Sequence, residues 1–252
     1  MSILAAIRFL TVLPVVQNRE FSTEELGRSS AWFPLVGLML GGVLVGMDFL
    51  LEDHLNGTVL NMLLIITMVM ITGALHLDGF IDTCDGIFLR RPAEDRLRIM
   101  SDSRVGGFGV VGACCLILLK FAALLALPHD LRWGALLLMP LIGRWTMTCL
   151  LYLFPYARDE GKGLIFKQQV NGTRVIIATS ITLLVSVVIG WTGGLLLLAA
   201  TGLMVLLLAS YINHGLGGLT GDTYGAANEI AEVVILILFP IVFDAIGGGV
   251  IA

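Results

Sequence analysis

Apolar residues fall into seven stretches of about 20 positions, the length of helix needed to cross a hydrocarbon core of roughly 30 Å. They cover 31–51, 58–77, 107–127, 133–154, 175–191, 193–212 and 230–251. The polar positions gather in short connections, none of which has room for a soluble domain. The pattern therefore predicts an all-α integral membrane protein, a polytopic bundle of about seven transmembrane helices forming one membrane domain over 1–252. Its least marked boundary is Gly190-Trp191-Thr192-Gly193-Gly194, which also suits one long kinked helix. Ahead of the bundle (31–252), the segment 1–30 is apolar through its first sixteen residues but carries Arg8 mid-run and Pro14, with no small-residue cleavage pattern. It reads as an interfacial helix rather than a secretory signal.

Composition agrees with the pattern. The 252 residues are 57% hydrophobic and 13% charged, and mean hydropathy is +0.95, far above that of a soluble domain. Short connections rich in Lys and Arg stay in the cytoplasm. Arg8, Arg19 and Arg28 precede the first stretch, Arg90, Arg91, Arg96, Arg98 and Arg104 follow the second, and Arg158, Lys162, Lys167 and Arg174 follow the fourth, whereas the opposite connections hold Arg132. Twelve against one places the N-terminus in the cytoplasm. A net charge of −4 weighs against a nucleic-acid partner. Cys84, Cys114, Cys115 and Cys149 lack zinc-ligand spacing, and a cytoplasmic setting disfavours disulfides, so they are expected to be packing residues.

Against this apolar background one segment stands out, His76-Leu77-Asp78-Gly79-Phe80-Ile81-Asp82-Thr83-Cys84-Asp85-Gly86. As helix, Asp78, Asp82 and Asp85 share a face within roughly 60° of arc. Like charges so placed repel unless a cation sits among them. A hard divalent ion suits clustered carboxylates, and Mg²⁺ commonly binds a few carboxylates together with substrate phosphates. Phosphoryl transfer asks little more than such an ion, positioning and cationic groups.

The other polar connections supply those groups. Met100-Ser101-Asp102-Ser103-Arg104-Val105-Gly106-Gly107-Phe108-Gly109 joins a carboxylate, an arginine and glycines at a helix start that suits phosphate, although Asp102 as a plain cap is an equal reading. Gly218-Leu219-Thr220-Gly221-Asp222, followed by Glu229 and Glu232, is a second glycine-rich acidic element expected on the same face and facing the first cluster. Arg158 and Gly161-Lys162-Gly163 form either a phosphate-contacting loop or a solvated basic turn. Arg144 lies within a span and is a candidate for reaching the site, and Asp48 with Lys120 reads as a buried structural pair. His76 is open as base, metal ligand, hydrogen-bonding support or cap. His214 is a weaker candidate.

Taken in order, His76-Leu77-Asp78-Gly79, Asp82, Asp85-Gly86, Met100-Ser101-Asp102-Ser103-Arg104, Gly107-Phe108-Gly109, and Gly218-Leu219-Thr220-Gly221-Asp222 with Glu229 and Glu232 resemble cobalamin synthase, also called adenosylcobinamide-GDP ribazoletransferase. The resemblance extends to Phe9-Leu10-Thr11-Val12-Leu13-Pro14 and Phe33-Pro34-Leu35-Val36-Gly37 and so runs nearly the whole chain. It implies a Mg²⁺-dependent transferase of the bacterial cytoplasmic (inner) membrane. A ribose hydroxyl of α-ribazole or its 5′-phosphate attacks the corrinoid-proximal phosphate of adenosylcobinamide-GDP. GMP leaves, and adenosylcobalamin or its 5′-phosphate forms. A homo-oligomer, or association with other enzymes of nucleotide-loop assembly, is open on this reading.

Within that scheme the metal candidates are Asp78, Asp82, Asp85, Asp222, Glu229 and Glu232. Asp82, Asp102, Arg104 and His76 are the catalytic candidates, with Asp102 or Asp222 completing the metal shell or taking the hydroxyl proton and Arg104 neutralising the leaving GMP. Arg144, Lys162, Arg158, Gly107, Gly109, Thr220 and Gly221 are the substrate-binding candidates. Two alternatives stand beside it. Asp82-Thr83-Cys84-Asp85-Gly86 and Arg90 reproduce the opening of the CDP-alcohol lipid phosphotransferase pattern, but Leu89, Ile99, Ser103 and Gly107 depart from the rest. An ion-coupled transporter would show paired repeats and a midplane site, neither of which the sequence displays.

Overall fold

The computed structural model describes residues 2–15 and 21–246. Arg19 and the end of the seventh predicted stretch, 247–251, lie outside them. The helices are α1 (Ser2–Leu10), α2 (Thr23–Arg28), α3 (Phe33–Leu51), α4 (Gly57–Ile71), α5 (Leu75–Ile87), α6 (Ala93–Ile99), α7 (Gly107–Ala126), α8 (His129–Leu153), α9 (Lys162–Gln169), α10 (Gly172–Leu216) and α11 (Gly221–Ala245). A 3-10 turn, Ser29–Trp32, joins α2 to α3. The described residues contain no β-structure beyond an isolated bridge between Tyr156 and Leu219.

Length and composition qualify five helical stretches for crossing a membrane, or six if the bent pair α4–α5 is one span. The longest, α10, has 45 residues and doubles back on itself. Trp191 sits inside it at φ 44°, ψ −124°, and a Cβ added at Gly194 would collide with the carbonyl of Ser186, eight residues earlier. Trp145 on α8 reaches both arms, its Nε1 donating to Thr179 Oγ1 at 3.0 Å while its ring lies 3.0 Å from a Cβ built on Gly202. On a straight helix Thr179 and Gly202 would be about 35 Å apart. The arms 172–190 and 192–216 are therefore two passes, and counting them separately, with α4–α5 as one, raises the total to seven.

A second departure from regular helix re-aims the acidic segment. The sequence suggested one continuous stretch over 58–77, but α4 stops at Ile71 and α5 starts at Leu75, turned by 90°. Gly73 (φ 59°) and Ala74 (φ 58°) make the turn in the left-handed region. There the Ala74 N–H closes on the Val69 carbonyl (2.8 Å), and Val12 N–H caps the Ile71 carbonyl (2.8 Å). The orphaned end of α4 is thus satisfied by the segment following α1.

Close helix contacts are made at glycines, as is usual where lipid supplies no hydrophobic drive between helices. Gly37 and Gly41 of α3 sit against the backbone of α8 at Pro140 and Leu136. Gly143 of α8 lies against Asn228 of α11. On α5, Gly79 meets the Asp222 backbone (2.8 Å from an added Cβ), and on α11, Gly225 meets His76 (3.2 Å). The last two contacts lay the acidic part of α5 directly on the first turns of α11.

Candidate active site

A cavity of about 250 Å³ opens where α1, α3, α5, α8, α9 and α11 converge. One part of its wall is charged, formed by Asp78, Asp222, Arg158 and Lys162. Another is aromatic, formed by Phe9, Phe33 and Phe166, whose ring centroids lie 4.4–5.9 Å apart.

Local sequence explains how the charged wall is held. Thr220 and Thr223 form a reciprocal capping box that starts α11, fixing Asp222 in its first turn. Leu219 N–H donates to the Pro155 carbonyl (2.9 Å) and Ala157 N–H to the Leu219 carbonyl (2.8 Å). That short parallel pairing carries Arg158 to Asp222, Nη1 to Oδ2 at 2.9 Å. Gly161 at φ 126°, a conformation that favours glycine, turns the chain into α9. Tyr156 is half-buried beside Gly163, and burial holds its phenol above the ordinary range. The charges bearing most on Asp82 are Asp222, Asp78, Arg158 and Asp85.

Several candidates are drawn together here: Asp78, Asp82, Asp222, Arg158, Lys162, Gly221 and His76. Asp78 and Lys162 are exposed and Asp82 is half-buried. Gly221 lines the cavity. Thr220 is buried and its hydroxyl is committed to the cap, accepting from Thr223 N–H (3.2 Å) and donating to Asp222 (3.3 Å). His76 is buried on the cavity wall. On its inner side stand Arg144, Glu232 and Lys120.

Others are placed elsewhere. Asp85 shares the α5 face with Asp78 and Asp82, but it is buried and its two oxygens accept the N–H groups of Gly106 (2.7 Å) and Gly109 (2.8 Å). The α7 N-terminus, expected to offer N–H groups to phosphate, is thus capped by a carboxylate of the same chain. Gly109 is buried beneath Asp85, and Gly107 stands clear of its neighbours. Asp102 and Arg104 bind each other on the exposed loop before α7 (2.7 Å) and do not line the cavity. Hydrogen bonding from Arg104 holds the Asp102 carboxyl down to about 2, which makes it a poor proton acceptor.

The largest correction concerns the glutamates. Glu229 and Glu232 do not face the acidic cluster. Both are buried on Lys120 Nζ (2.5 Å each), and Glu232 also binds Arg144 and Asn228. Arg144 is spent there rather than at the cavity, because an unpaired charge at this depth is costly. Asp48 is paired not with Lys120 but with Arg132 (2.8 Å), which also reaches Asn61 (2.5 Å). His214 is exposed.

Lining residues missed in the sequence include Phe166, Tyr224, Met147 and Leu151. Nothing distinguishes them from other apolar positions until α9 and α11 are docked. The residues 2–240 match the family model described as cobalamin-5-phosphate synthase. The chain belongs to that family. Among curated relatives, the adenosylcobinamide-GDP ribazoletransferase of Geotalea daltonii is 38% identical over 247 residues, covering 96% of each chain. Those so named from Roseiflexus sp. (39% over 231 residues; 92% of this chain, 86% of the relative) and Synechococcus elongatus (40% over 243 residues; 94% and 95%) are similar to it as well. No solved structure matches. These likenesses favour neither the lipid phosphotransferase nor the transporter.

Proposed function

We propose that this chain transfers the adenosylcobinamide phosphate of adenosylcobinamide-GDP to α-ribazole or its 5′-phosphate, with phosphoryl transfer at the charged wall of the cavity. The observation that carries the reading is the juxtaposition of Asp78, Asp82 and Asp222 with Arg158 and Lys162 across the α5–α11 contact. The cationic pair offers contacts to diphosphate oxygens, and Arg158, fixed by Asp222, is already oriented for them. Asp82, half-buried among carboxylates, is the group that would receive the hydroxyl proton.

The all-oxygen donor set suits Mg²⁺. Such an ion commonly takes one or two protein carboxylates and completes its shell with substrate phosphates and water. Asp78 and Asp222 are the residues that would hold it, which leaves Asp82 for the proton. When bound, Mg²⁺ would neutralise charge on the diphosphate as GMP leaves.

The cavity end of the molecule gathers α2 and α9, which with the α8–α9 connection carry Arg28, Arg158, Lys162 and Lys167. That distribution supports an N-terminus in the cytoplasm of a bacterial inner-membrane protein. Purified protein in detergent, given adenosylcobinamide-GDP, α-ribazole and Mg²⁺, is expected to release GMP and form cobalamin. Asp82→Asn and Asp222→Asn are expected to remove Mg²⁺-dependent turnover while preserving the elution profile. Near-normal rates in both would sink these assignments.

A further inference from the structure

We infer that the aromatic end of the cavity, Phe9, Phe33 and Phe166, is the pocket for the base of the acceptor nucleoside, a dimethyl-substituted benzimidazole. The inference rests on the reaction proposed above and adds where one of its substrates sits.

Volume is the first argument. About 250 Å³ lies below the range that houses a drug-sized ligand, so the cavity takes one planar group beside the diphosphate and excludes a corrin macrocycle. Two planar bases compete for that place, the guanine of the donor and the benzimidazole of the acceptor. The three phenylalanines pack on one another, 4.4–5.9 Å from centroid to centroid, so that the half-buried Phe9 presents the ring while Phe33 and Phe166, with Met147 and Leu151, are buried around it. None of these side chains donates or accepts a hydrogen bond.

Guanine carries acceptors and donors around its edge, and seating it among these side chains would bury them unpaired. A dimethylbenzimidazole edge is apolar methyl and ring carbon, with one unsubstituted ring nitrogen. The wall has buried polar atoms waiting for a partner: Tyr224 Oη and His76 Nε2 make no hydrogen bond. Such atoms mark a place where a ligand or water completes the bonding, and they share the cavity lining with the phenylalanines and the carboxylates. A nucleoside with its base at the phenylalanines has the charged part of the same wall, Asp78 and Asp222, left for its ribose.

Steady-state kinetics on the purified full chain test this, with the wild type measured first. Absence of wild-type turnover would reject the reaction itself, independently of where the base sits. Given turnover, Phe9→Ala and Phe166→Leu are expected to raise KM for α-ribazole about fivefold or more, the scale of losing a base–aromatic stack, with KM for adenosylcobinamide-GDP held within about twofold. Phe9→Tyr, which keeps the ring, is expected to restore the wild-type KM. Phe9 is half-buried on a short helix, so Phe9→Ala decides the matter even if Phe166→Leu fails to fold. A rise in KM for the donor alone would put guanine in the pocket and overturn the inference. So would unchanged KM values for both substrates in monodisperse variants.

Discussion

Asp85 and Asp82 are three residues apart on one helix, yet their environments give them different work. Asp85 holds two backbone N–H groups of α7, whereas Asp82 stands among like charges. Asp85→Asn is expected to cost about 2 kcal/mol, the scale of hydrogen bonds to a charged group, seen as a lowered Tm in detergent. Asp82→Asn is expected to leave Tm unchanged or higher, because it relieves repulsion, while abolishing turnover. Lys120 supplies a parallel case: Lys120→Met leaves Glu229 and Glu232 facing Arg144 alone, at an expected cost of about 3–5 kcal/mol. Adding Glu229→Gln to Lys120→Met is expected to recover most of the lost Tm. The acidic segment was conspicuous in the sequence because charge is rare there. The partners of its members were not, since Gly106, Gly109, Lys120 and Arg158 reach them from elsewhere in the chain.

Elements show the same division. Most helices followed from apolar run lengths, and the flanking glycines at 190–194 marked where α10 turns, but α11 starts at Gly221, nine residues before the predicted stretch, because its polar first turns pack against α5 instead of lying in a connection. Direction at the breaks did not follow, because φ at Trp191 and Ala74 is decided by what the next helix packs against. Ala74 occupies the left-handed region without being glycine, a conformation costing an L-residue about 1–2 kcal/mol. Ala74→Gly is therefore expected to raise Tm, and Gly73→Val to lower it, since a side chain there would also meet Val12 at 2.7 Å. A thermal melt of the two variants beside wild type checks the sign of each.

At the scale of the molecule, the doubling of α10 puts its two ends on one side. Single cysteines replacing Glu160 and His214, both exposed, in a background lacking the native cysteines, are expected to react with an impermeant maleimide only when the cytoplasmic face is accessible. Opposite labelling of the two positions would show that α10 crosses once. The orientation under test rests on the charge asymmetry of the connections. The cavity was not legible, because its walls come from six helices and its aromatic side reads as ordinary core.

The modest volume of that cavity bears on selectivity. A site that admits a base and a diphosphate but not a macrocycle meets its donor substrate by the tail, so the upper face of the corrin, with whatever ligand the cobalt carries there, rides outside. Discrimination would then reside in the nucleotide arm and the acceptor base, and the enzyme would be nearly indifferent to chemistry at the metal its product is named for.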